Sequence, residues 1–128
     1  MTVHIVRLGA PRAPGEGPRI GTVRRPPRGV RKEAYASENW FDVWYPELSP
    51  SAELMAKGQA AETDKDWAGF VRAFKAEMKA PPAARTLDVL ATLSHGADFA
   101  VGCYCAEEAR CHRSVLREEL TARGAKVA

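Results

Sequence analysis

Three cysteines, a histidine and an arginine fall within one short stretch of the chain. They are Cys103, Cys105, Cys111, His112 and Arg113, with Glu107 among them. These residue types offer three chemistries. A thiolate can act as a nucleophile while a histidine or carboxylate carries the proton. Thiolates and an imidazole can hold a metal ion. A helix start bearing His and Arg can hold an anion, because its free N–H groups and its dipole favour negative charge. Cys111 stands beside His112 and Arg113 where a helix should begin, so it is the first candidate for a depressed thiol pKa. Cys105 is the second candidate, placed to face it across the loop. Glu107 or His112 would move the proton, and Arg113 could grip an anion through two hydrogen bonds.

Spacing weighs these options. Structural zinc sites favour pairs of cysteines two to four residues apart, with a second pair far along the chain. Here all the ligands are local, and adjacent Cys111 and His112 are poorly spaced to reach one ion, so no metal site is expected. A phosphatase loop is absent as well, because Cys105 to Arg110 has four intervening residues and Cys103 to Arg110 has six. The bland alternative is that the cysteines pack in the core and Arg113 ties down a loop. No cofactor is called for.

The other concentration of chemistry is Arg24-Arg25-Pro26-Pro27-Arg28-Gly29. Two prolines stiffen this turn and the glycine lets it bend. Three arginines on a stiff loop could clamp a phosphate, or they could pair with the acids of residues 33–53. Residues 1–32 carry eight basic groups against one acid, for a charge of +7, whereas the remainder carries −4. A basic third facing an anion fits that asymmetry, as does a solvated basic surface. Trp40, Trp44 and Tyr45 could add a stacking wall for a nucleobase, although aromatic core is the commoner use.

The elements that must position these residues can be read from periodicity. Strands are expected at 3–8 and 19–24, and a strand or extended segment at 40–45. A helix should start near Ser49 or Ser51. The clearest helix runs over 66–79, capped by Asp64 or Asp66. Its apolar stripe of Trp67, Phe70, Val71, Phe74 and Met78 serves core packing. Another spans 83–94 with Leu87, Leu90, Ala91 and Leu93 inward. The apolar run 99–105 suits a buried central strand. A last helix runs from 111 or 112 to 123, with Val115, Leu116 and Leu120 inward and Gly124 at its stop. The expected fold is a small single α/β domain over 1–128, with a short, mostly parallel or mixed central sheet flanked by helices. The cysteine cluster then falls at the carboxyl end of the central strand, where open α/β sheets bind ligands.

The bulk composition agrees. A chain of 128 residues with 45% hydrophobic and 27% charged residues can bury a core without staples. No apolar run approaches the roughly 20 residues of a membrane span. The N-terminus lacks a signal peptide's apolar core, so the cytoplasm is the default location. An odd number of clustered cysteines also argues against a secreted disulfide framework.

Cys105-x-Glu107 followed by Cys111-His112-Arg113 before a helix resembles the domain of unknown function 488 family, DUF488. Arg25 to Val30, then Leu48-Ser49-Pro50-Ser51 with Glu53-Leu54, then Trp67 and Phe70 through Met78, resemble its YeaO-like branch. The resemblance covers nearly the whole chain. It implies a small α/β fold and carries no activity over. The reading reached is a protein that binds a small anionic or phosphorylated ligand, a nucleotide or nucleic acid being the wider options. Its site would use Arg24, Arg25, Arg28, His112 and Arg113. An enzyme with a Cys111 or Cys105 thiolate and an interaction module without a pocket are the alternatives. No membrane partner is expected. A lone sheet edge and exposed tryptophans would suit a dimer, and nothing demands one.

Overall fold

A computed structural model describes residues 1–128. The chain runs β1 (Val3–Arg7), β2 (Arg19–Gly21), β3 (Val43–Trp44), α1 (Ala52–Ala60), α2 (Asp64–Met78), α3 (Ala83–Leu93), β4 (Phe99–Cys103) and α4 (His112–Ala122). The four strands form one sheet in the order β1-β4-β2-β3. Every pairing is parallel, so the fold is a small single-domain α/β fold built on a wholly parallel sheet. No helix is long and apolar enough to cross a membrane.

β4 is buried along its whole length, as a strand flanked on both sides must be. Val3 to Arg7 pair with Phe99 to Cys103 on one side, and Arg19 to Gly21 pair with Ala100 to Gly102 on the other. Gly102 permits a close approach here, because a Cβ on it would meet Leu8 Cδ2 at 2.6 Å.

Two expected strands are shorter than their composition suggests. β2 stops at Gly21 rather than Arg24. Thr22 N still reaches Gly102 O at 3.0 Å, but the Val23 carbonyl accepts from Trp44 Nε1 at 2.7 Å instead of from a strand. Pro26 and Pro27 then bar further pairing. Of residues 40–45 only Val43 and Trp44 pair, because Trp40 and Phe41 turn inward to a small apolar cluster.

The helices follow their stripes. Ser51 caps α1, accepting from Leu54 N, and Thr63 with Asp66 forms a reciprocal capping box on α2. That places the cap of α2 on Thr63 rather than on either aspartate. Phe70, Phe74 and Met78 are buried, while Trp67 and Val71 pack at the margin of the core. Leu93 is 50% exposed rather than inward. Six residues beyond Leu87 is a rotation of about 240° at about 100° per residue, off the buried stripe. α4 ends where Gly124 takes a φ of 85°, a conformation that favours glycine. The main core joins all four helices to β1 and β4, and a second cluster of Leu8, Val23, Phe41, Cys103 and Cys111 sits at the carboxyl end of β4.

Candidate functional site

The carboxyl ends of β1, β2 and β4 open onto a cleft of about 1150 Å³. Its floor is Val23 and the segment Cys103–Cys105. One wall is the 24–28 loop, another is α1 at Ala52, Met55 and Gln59, and a third is Gly9, Ala10 and Trp40. The arginine loop and the cysteine strand end therefore meet in one place. Tyr104 joins them, its hydroxyl donating to Arg25 O at 2.9 Å.

The arginines divide into two kinds. Arg24 is tied inward, its guanidinium donating to Ser49 O at 3.1 Å and Pro50 O at 2.9 Å. It fixes the loop to the entry of α1. Arg25 and Arg28 are exposed and make no ion pair. Arg7, the last residue of β1, adds a further exposed cation to the cleft. The sequence reading missed it. The signal available was its place at the carboxyl end of a parallel strand. Of the three aromatic residues considered for a stacking wall, Trp40 lines the cleft. Trp44 instead bonds Val23 O, and the Tyr45 hydroxyl lies 2.7 Å from Thr86 Oγ1.

The Cys-His-Arg turn lies deeper than expected. Cys111, His112 and Arg113 are only 2–3% exposed, so the start of α4 is sealed and does not open on the cleft. Arg113 donates to Cys105 O at 2.8 Å and, through Nε, to Cys111 Sγ at 3.4 Å. It positions the cysteine loop rather than reaching solvent. His112 Nε2 lies 2.7 Å from Thr22 O and 3.3 Å from Thr22 Oγ1. A ring nitrogen against a carbonyl must carry the hydrogen, so in the neutral ring Nδ1 bears the lone pair. Glu107 is exposed, and its carboxylate accepts no hydrogen bond from any cysteine.

The three thiols are free and touch one another. Cys103 Sγ donates to Cys105 Sγ at 3.8 Å, and Cys111 Sγ lies 3.8 Å from His112 Nδ1. Cys105 is the exposed one. Hydrogen bonds from Cys103 and Cys111, with the Arg113 charge, lower its pKa against the opposing effect of burial. Cys103 is pushed up, by those same bonds to Cys105 and Cys111 and by burial. Cys111 is lowered by its bond from Cys103 and by His112, against its bond to Cys105 and burial. Of the two lowered thiols only Cys105 is exposed, which shifts the emphasis from Cys111 to Cys105. Cys103, Cys111 and His112 also bring one ligand atom each to within 4.8 Å of one another. Adjacent Cys111 and His112 do converge, because the chain passes from extended backbone at Cys111 (φ −132°, ψ 151°) into helix at His112.

Comparison with curated proteins and with solved structures finds no match. A family profile described as the active DUF488-N3 subclade matches residues 3–124. It names that subclade and not the YeaO-like branch. The match takes in every strand, every helix and all the cleft residues, and on that extent the chain belongs to the DUF488 family.

Proposed function

We propose that the protein binds a small anionic or phosphorylated ligand in the cleft between the 24–28 loop and Cys103–Cys105. One observation carries this reading: Arg7, Arg24, Arg25 and Arg28 line the cleft, and no acidic residue does. Of these, Arg7, Arg25 and Arg28 make no ion pair, and beside apolar walls their guanidinium groups focus a positive field that an anion neutralises. The ligand would sit on the cleft arginines, with Arg113 and His112 holding the floor from behind. Trp40 on the cleft wall and Tyr104 on its floor favour a ligand with a flat ring, which makes a nucleotide the natural extension.

Calorimetric titration with inorganic phosphate and with a nucleoside monophosphate tests the reading. The wild type should bind at least one of them. Arg25→Ala with Arg28→Ala should weaken that binding about tenfold or more, since charge-assisted hydrogen bonds contribute about 1.5–3 kcal/mol each. Equal affinity in the wild type and the double variant would overturn it.

A second reading, an enzyme whose nucleophile is Cys105, is favoured because this sulfur alone of the three is exposed and it opens on the same cleft. Iodoacetamide should then label Cys105 first and fastest. Labelling of all three at one slow rate would count against it. Three free thiols suit a reducing compartment, so the cytoplasm is the proposed location.

A further inference from the structure

The geometry points to a metal site behind the cleft floor, in which Cys103, Cys111 and His112 hold a zinc-class divalent ion and Cys105 supplies an outer, exchangeable fourth ligand. This goes beyond the anion reading and uses none of the cleft arginines.

The donors come from separate places in the fold. Cys103 ends β4, Cys111 caps α4 and His112 is the first residue of that helix. Around a tetrahedral ion, with bonds of about 2.3 Å to sulfur and about 2.0 Å to nitrogen, neighbouring ligands lie about 3.5–3.8 Å apart. The Cys103–Cys105 pair already stands at 3.8 Å. The three buried donors are within 4.8 Å of one another, so closing on an ion needs side-chain shifts of about 1 Å.

The histidine is oriented for ligation. Its Nε2–H donates to Thr22 O at 2.7 Å. Thr22 Oγ1 in turn donates to Gly102 O at 2.8 Å, which anchors that partner to β4. The ring stands edge-on to Phe74, with centroids 5.6 Å apart. A metal-ligating histidine usually donates its second nitrogen to a carbonyl in this way, fixing tautomer and tilt together. The Nδ1 lone pair is left facing the Cys111 sulfur.

Charge and chemistry fit the same ion. Three thiolates around a divalent cation leave one net negative charge. Arg113 Nε, donating to Cys111 Sγ at 3.4 Å, offsets it. A donor set of sulfur and imidazole with no carboxylate selects zinc-class ions over magnesium or calcium. Cys103 and Cys111 lie in the apolar cluster with Leu8, Val23 and Phe41, which keeps the inner side dry. Cys105 is exposed toward the cleft and gives the ion its way in.

Cobalt(II) titration of untagged, chelator-treated protein under reducing conditions tests this. The wild type should take up one equivalent, with a sulfur-to-cobalt charge-transfer band and the visible bands of tetrahedral cobalt, and zinc should bleach both. Cys105→Ser should keep the ion and lose about a third of the charge-transfer intensity, one thiolate of three. Cys103→Ser and Cys111→Ser, checked for folding by circular dichroism, should lose the spectrum. Arg25→Ala with Arg28→Ala should keep it, so the metal site and the anion cleft can fail separately. A wild type without the charge-transfer band, or a band that survives in both Cys103→Ser and Cys111→Ser, would overturn the proposal.

Discussion

Arg19 is 1% exposed and all five of its guanidinium hydrogens have acceptors: Glu16 through both carboxylate oxygens, and the carbonyls of Ala10, Pro11 and Asn39. Its backbone N–H is taken by Asp42 at 2.7 Å. One side chain thus fixes the 9–18 loop and the chain around Asn39, whose neighbours Gly9, Ala10 and Trp40 form a wall of the cleft. Arg19→Met should cost about 3–5 kcal/mol in urea unfolding, because Glu16 would be left buried and unpaired. Burial alone would raise the Glu16 carboxyl above its ordinary 4.5, but hydrogen bonds from Arg19 and Ala13 and the charges of Arg19 and Arg12 outweigh it and hold it lower. Asp42 behaves likewise, its burial outweighed by Arg19 N–H and Arg12. Folded pKa values below the unfolded ones add stability that is fully present above the ordinary carboxyl range and lost as pH falls through the folded values. Stability measured from pH 7 down to 3 should therefore fall, and Glu16→Gln should flatten part of that fall. None of this was visible in the sequence, where Arg19 is one basic residue among eight and Glu16 one acid before a strand.

Among the elements, legibility followed periodicity. α2 and α4 were readable because their apolar residues repeat at helical spacing, and β4 because it is a short apolar run. The sequence offers Asp64 or Asp66 as the cap of α2, whereas Thr63 is the cap, since all three are good caps and only geometry chooses among them. Thr63→Ala should lower stability by about 1 kcal/mol. Leu87 and Leu93 are a sharper pair, one wholly buried and one half exposed on the same helix. Leu87→Ala should cost about 2–5 kcal/mol by leaving a cavity, and Leu93→Ser less than about 0.5 kcal/mol. Thermal melts of the two variants, run together, check both. β3 is shorter than the β-prone run over 40–45 because residues such as Trp40 and Phe41 also serve as anchors for a loop.

At the level of the whole molecule, the α/β class could be read from the order of the elements, but the cleft could not. Its walls come from residues 7–10, 23–28, 40, 52–59 and 103–105, and only the strand order brings them together. The charge asymmetry of the N-terminal third also resolves in space. Arg12 and Arg19 pair with Asp42 and Glu16 and Arg24 binds carbonyls, whereas Arg7, Arg25 and Arg28 face the cleft. Phosphate binding should accordingly weaken as salt rises from 50 to 300 mM, since these cations are exposed and screened over about 10 Å at 0.1 M. A salt-independent affinity would mean that the arginines do not make the contact.

The insertion of β4 between β1 and β2 bears on how the protein comes to exist. The strand at the middle of the sheet is the last one made, and β1 and β2 do not pair with each other. A nascent chain that ends before Phe99 therefore has two strands with no partner between them. Joining β1 to the β2–β3 pair must wait for β4, through contacts across some 81 to 96 residues, which is slow folding by loop-closure entropy. The cysteine strand end arrives in that same closing step, so the sheet and the cleft floor are completed as one event.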